Sequence, residues 1–206
     1  MPKLIGLDSG KVLQIKQTVV SANAATTTTT AEDMEIFTEL NTSITPRSAN
    51  SKILVEVDIN IGGNTSQYDI GLHLIKNATS TVGASAAETT SPLGGAYLTD
   101  AAGNLIRGDA RGGNPRGVAL LNNHFLYDRF NGSANAQTSV VTEYIITPVH
   151  ISALDHPNTT SSITYHLALR HYNWADIFYL NRTRGHLDGN GYDTNPVSTM
   201  TVTEFS

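Results

Sequence analysis

The residues best equipped for chemistry in this chain are few and poorly matched to one another. Glu56 and Asp58 stand two apart in "SKILVEVDINIG", 51–62, so on an extended chain their carboxylates share one face. Paired carboxylates can divide acid and base work at a glycosidic bond. The same stretch places Ile53, Val55, Val57, Ile59 and Ile61 on the opposite face, and a polar outer face over a buried one is the plainer reading. Seven histidines raise the question of a metal. His166 and Arg170 share one face of a strand pattern, with His171 and Tyr165 on the other. No pair has a recognised ligand spacing with a third donor, so surface or interface histidines are expected. "HLDGNGYDTN", 186–195, gathers the oxygen donors Asp188, Asn190, Asp193 and Asn195. A calcium loop uses such residues, but Asp-Gly and Asn-Gly are also common turn pairs and the full loop pattern is missing. Trp174, the single tryptophan, is either a sugar-stacking platform or, more simply, a hairpin-tip anchor or subunit contact. There is no G-x-S-x-G, no H-E-x-x-H, no phosphate-binding loop and no cysteine. No catalytic residue, resident metal or cofactor is expected.

The elements that must position these residues are strands. Hydrophobic residues make up 39% and charged residues 15%, both low, and Thr, Ser, Asn and Gly fill the deficit. Such a mixture suits exposed strand faces joined by turns, whereas a disordered chain is usually more charged. The length of 206 residues suits one large β-domain better than two thin-cored ones. Net charge is −5 with no basic run, which argues against nucleic acid as a partner. No stretch approaches the roughly 20 apolar residues of a membrane span. In "MPKLIGLDSGKVLQI" the apolar run is interrupted by Asp8 and Lys11, so no secretion signal is read and synthesis in a cytoplasm is expected.

Alternation marks strands at 11–20, 35–44, 51–62, 68–77, 162–172 and 198–206, with more apolar candidates at 117–130 and 138–155. "AEDMEIF", 31–37, is the best helix candidate but short. "TTTTT", 26–30, reads as an edge strand or a solvated loop. Pro46 and the Ser/Asn cluster after it form a corner between two strands. "DIFYLNR", 176–182, pairs plausibly with the preceding strand as a hairpin across "NWA". The Gly-rich stretch 77–117 is a long loop or a projecting hairpin, with "GAYLTD" and "NLIRG" extended. Residues 1–10 form an N-terminal arm. Eight to ten short strands indicate an all-β fold: a single antiparallel β-sandwich, jelly-roll-like, carrying one long insertion.

Five blocks in order, "GKVLQIKQ", "SITPRSANSKILVEVDINIG", "ALDHPNTTSSITYHLALR", "YLNR" and "STMTVTEF", resemble small β-rich structural proteins of tailed bacteriophages, of the marine and cyanobacterial phage type. The likeness covers most of 10–76 and 148–206; the stretch 77–147 is not covered. It implies a virion component built on a β-sandwich, often associated with tail fibres and often trimeric, and it brings no catalytic residues. The chain lacks a fibre shaft or a heptad stretch. A homotrimeric capsid decoration, or cement, protein on the head is therefore expected, in contact with the major capsid protein or tail proteins. Leu54, Ile75 and Ile145 are available for its interfaces. The alternative is a receptor-binding module of a fibre or spike tip. Trp174, Tyr97, Arg107 and Arg111 would then contact host surface glycans.

Overall fold

The alternation at 53–61 becomes the central strand of the molecule because one of its faces is wholly apolar and the other polar. The fold is given by a computed structural model that describes residues 10–22, 24–27, 34–63, 70–83, 92–107, 110–111, 114–115, 119–121, 146–171, 177–183 and 195–206. In chain order the strands among these residues are β1 (Val12–Val20), β2 (Ala24–Thr27), β3 (Met34–Ile44), β4 (Lys52–Gly63), β5 (Ile70–Lys76), β6 (Val82–Gly83), β7 (Ala96–Thr99), β8 (Leu105–Ile106), β9 (Ala110–Arg111), β10 (Asn114–Pro115), β11 (Ala119–Leu121), β12 (Ile146–Asp155), β13 (Ile163–His171), β14 (Ile177–Leu180) and β15 (Ser198–Phe205). One 3-10 turn, Pro92–Gly94, precedes β7.

Two antiparallel sheets, not closed into a barrel, make a β-sandwich. In the first sheet β12 runs along one edge of β4, from Ile146 opposite Gly62 to Asp155 opposite Ile53. The other edge of β4 is shared, with β15 covering its first half and β14 its end. β1 lies outside β15 and β2 outside β14. The second sheet runs β6-β3-β13-β5-β7-β8, with β11 also on β5. The chain repeatedly changes sheet between consecutive strands, as the expected jelly-roll-like connections require.

The inward residues are those the alternation assigned. Val55, Val57 and Ile61 of β4 meet Leu72 and Leu74 of β5, Leu167 and Leu169 of β13, and Met200 and Val202 of β15 in one core. The outer face of the second sheet is buried as well. Met34, Ile36, Ile75, Leu93 and Ala168 form a second apolar cluster there. Ile75 is therefore a packed residue and not a free interface residue; it is fully buried.

Other expectations change in the same light. "AEDMEIF" is not helical where it is described: β3 starts at Met34, because Phe37 and Leu40 are drawn into the core and Met34 and Ile36 into the second cluster. A register shift between His166 and Ala168 in the β3–β13 ladder accommodates this change of face. The 176–182 segment does not form a hairpin with β13. Both edges of β13 are taken, by β3 and β5, and β14 instead joins the first sheet. The β7–β8 hairpin does not project either. β7 adds to the edge of β5 through Ile75 and Lys76, and Leu98 reaches the core. Its turn is held by Asp100, whose carboxylate accepts from the Ala102 and Asn104 amides at 2.9 and 2.8 Å.

Candidate interaction surface

Three polar clusters hold several of the buried functional groups among the described residues. Glu204 continues the inward series of Met200 and Val202, yet it is a carboxylate and fully buried. It accepts hydrogen bonds from the Arg47 amide, the Ser51 hydroxyl and the Gln14 amide group, each at 2.6 Å. Burial pushes its carboxyl upward, but the bonds from Ser51, Arg47 and Gln14 and the Arg47 charge outweigh that, and the net shift is downward. Asp155 sits on the same register row, on the other side of Ile53. It accepts from Lys76 at 3.0 Å, the Thr99 amide at 2.8 Å and the Tyr165 hydroxyl at 2.8 Å. Burial, then the Asp155 charge and this bond, pushes the Tyr165 phenol well above its ordinary range. At the opposite end of the sandwich, Asn181 adopts a left-handed φ of 59° and donates to the Val20 carbonyl at 2.7 Å. Ser198 donates to Asn181 at 2.6 Å and accepts from the Asn60 amide at 3.0 Å. These groups tie β1, β4, β14 and β15 where β14 and β15 succeed one another.

Each cluster joins sequence blocks that are far apart in the chain. Glu204 unites the closing block with the corner block and the first strand, and Asp155 unites its turn with Lys76 of β5 and Thr99 of β7. These residues are thus clasps of the fold. A carboxylate held by three donors at 2.6 Å is a poor proton shuttle, because its lone pairs are committed.

A fourth group is buried on the outer face of the second sheet. His73 and Tyr97 place their rings 6.1 Å apart, and the Arg107 guanidinium lies 5.9 Å from the Tyr97 ring. Burial and then the Arg170 charge lower the His73 pKa to about 3, so it is neutral at ordinary pH. His166, on the same face, is lowered by burial.

The exposed candidate is the outer face of the first sheet. Leu54, Glu56, Asp58 and Asn60 of β4 point to it. The registers align them with Leu154, Ser152, His150 and Pro148 of β12, and with Thr203, Thr201 and Thr199 of β15. Ile15, Gln17 and Val19 of β1 stand beyond those threonines. One row, Leu154–Leu54–Thr203–Ile15, crosses these four strands; Leu54 in it is half-buried and Thr203 is buried. Ile15 is 59% exposed, Val19 57% and Leu154 40%. Asp58 and His150 pair across the strands at 2.8 Å in solvent, and the Gln17 amide group donates to Thr201 at 2.9 Å. Glu56 and Asp58 thus occupy the polar outer face read from the sequence, with no second buried acid beside them among the described residues.

The remaining candidates fare differently. Tyr97 is 1% exposed and cannot serve as a surface contact: it is opposite Ile75 on the buried outer face of the second sheet. Arg107 is half-buried beside it. Arg111 lies on β9, a strand whose side chains are outside the described set. Trp174, Ile145, the arm at 1–9 and the calcium candidates Asp188, Asn190 and Asp193 lie outside the described residues. No cluster of three or more His, Asp or Glu side chains fit for a metal occurs among the described residues. Asn77 and Asn158, each in an N-x-T sequence, both take left-handed turns, with φ of 52° and 51°, and Asn77 caps the Thr164 amide at 2.9 Å. Turn chemistry accounts for their presence. Sequence reading overlooked Ile15 and Val19 as surface residues. Their alternation was visible, but the side facing water was not.

The fold and this face define an all-β sandwich with exposed apolar side chains, Ile15, Val19 and Leu154, on a threonine-lined sheet face. No protein-family model matches the chain, and no curated protein matches it.

Proposed function

We propose that this chain is a non-enzymatic structural protein of a tailed-bacteriophage virion, a decoration protein that binds the head surface and acts through contact. The observation that supports this reading most is the set of exposed apolar side chains Ile15, Val19 and Leu154 on an otherwise polar sheet face. Apolar side chains exposed together on one face suit a surface that is covered in use. The buried acids and their donors hold the sandwich together, and they are spent on that task. The resemblance to phage structural proteins supports the same assignment through residues that the fold uses as clasps.

The test is where the chain sits in the particle. Heads and tails of a phage carrying this gene are separated on gradients and analysed by quantitative mass spectrometry. The expected result is a stoichiometric amount of the chain with heads and none with tails. Recovery with tails alone, or with neither, rejects the assignment.

A further inference from the structure

A pocket of about 230 Å³ lies between the end of β5, the turn that leads into β7 and the loop from β12 to β13. We infer that it binds a small aliphatic carboxylate. The site goes beyond the virion reading and is independent of it, because none of its lining residues belongs to the exposed face of the first sheet.

Its walls are fixed without a ligand. The Asn77 amide donates to the Thr164 carbonyl at 2.8 Å, and the Thr164 amide donates back to Asn77 Oδ1 at 2.9 Å. The His156 amide donates to the Thr99 carbonyl at 2.8 Å, and the Thr99 hydroxyl to the His156 carbonyl at 3.0 Å. The Thr79 and Ser80 amides both donate to the Leu93 carbonyl. A Cβ on Gly95 would fall 2.3 Å from the Lys76 carbonyl oxygen, so this turn lies flush against β5. Left-handed backbone recurs around the rim, at Asn77, Leu93 and Asn158. For leucine that conformation is uncommon, and it persists where the surroundings hold it, as at ligand clamps.

The ligand class follows from what the lining side chains can offer. Asn77 Oδ1 is spent on the Thr164 amide, which leaves the Nδ2 hydrogens. Thr159 Oγ1 accepts from the Ser161 amide at 3.0 Å, which leaves the hydroxyl hydrogen. Lys76 donates to Asp155 at 3.0 Å, and an ammonium has two further N–H bonds. Among the described residues these remaining hydrogens meet no acceptor. Side chains that offer hydrogens and take none select a group that only accepts. An ionised acceptor is favoured over a neutral carbonyl, because one of the donors is an ammonium. Asp155 behind the pocket is fully buried and shares its charge among Lys76, the Thr99 amide and the Tyr165 hydroxyl, so Lys76 can bridge to a second carboxylate. Ile163, Pro157 and Ala96 supply an apolar wall for a short hydrocarbon chain. Sites for drug-sized ligands hold roughly 300–1,000 Å³, so this one takes only a few carbons.

The test is nuclear magnetic resonance on the full-length, isotope-labelled protein at fixed pH and ionic strength. Butyrate stands for a free acid and N-acetylalanine for the carboxylate end of a chain. Butyramide and N-acetylalaninamide are their uncharged counterparts. Saturable shifts are expected at the backbone amides of Asn77, Gly95, Ala96 and Thr159 with at least one acid, and none with either amide. The acid that binds more tightly identifies the source. Thr159→Val and Lys76→Met each delete a donor and should each weaken binding about tenfold. Ala96→Val narrows the pocket without removing a donor and should weaken binding as well. Circular dichroism melts check that each variant is folded. Lys76→Met also leaves buried Asp155 without its cation, so if that variant does not fold, the other two carry the test. No saturable shift with either acid overturns the inference. So do equal shifts with the amides, or acid binding unchanged in both Thr159→Val and Ala96→Val. Recovery of the chain with heads or with tails bears only on the virion reading, so the two can fail separately.

Discussion

Glu204 shows how a single residue can organise distant parts of this chain. Its carboxylate collects three donors, Gln14 from β1 and Arg47 and Ser51 from the 45–51 corner, and removing its charge leaves those donors weakly served. Glu204→Gln should cost roughly 1.5–3 kcal/mol in urea unfolding, the range for hydrogen bonds to a charged group. The sign with pH follows from its lowered pKa. The stabilisation is complete above the ordinary carboxylate pKa and fades as pH falls through the folded value, so the variant should show a flatter acid limb. Tyr165→Phe keeps the packing but deletes the donor to Asp155, and a loss of about 1 kcal/mol is expected in the same assay. Neither role was legible in the sequence. "STMTVTEF" shows an acid in a strand whose other inward residues are apolar, but its donors lie more than 150 residues away in the chain.

At the level of elements, β4 was the clearest reading and the most faithful one, because both of its faces are signed by residue type over ten residues. β14 was misplaced for a reason that periodicity cannot supply. A short strand with one apolar face fits either sheet, and its partner is whichever edge remains open. β13 offered none, since β3 and β5 flank it. The junction of β4 and β14 is also tight. A Cβ placed on Gly62 would fall 2.2 Å from the Arg182 carbonyl oxygen, a backbone atom with little room to yield. Gly62→Ala should therefore destabilise the fold by about 2 kcal/mol or more, measured by denaturant unfolding with the slope unchanged. Among glycines, sequence alone does not distinguish this one from the turn-forming kind. The neighbour that excludes a methyl group comes from a distant segment.

The whole molecule carries an unusual layer: the outer face of the second sheet, where a sandwich would ordinarily meet water, encloses His73, Tyr97 and Arg170. The pKa of His73 falls from 6.5 to about 3 on folding. Between these values the unfolded chain binds a proton that the folded one refuses, so stability declines as pH drops below about 6.5, by up to about 1.4 kcal/mol per pH unit. His73→Met should remove that part of the acid dependence, seen as a smaller shift in melting temperature between pH 7 and pH 5. By itself the sequence determined the all-β class, the inward face of the central strand and the corner at Pro46. Those depend on side-chain alternation and turn chemistry, which act within a few residues. The tertiary structure alone decided which acids became clasps, which face of the second sheet was covered and which apolar side chains stayed in water. Each of those outcomes depends on the order in which strands from distant segments lie side by side, and local pattern does not encode that order.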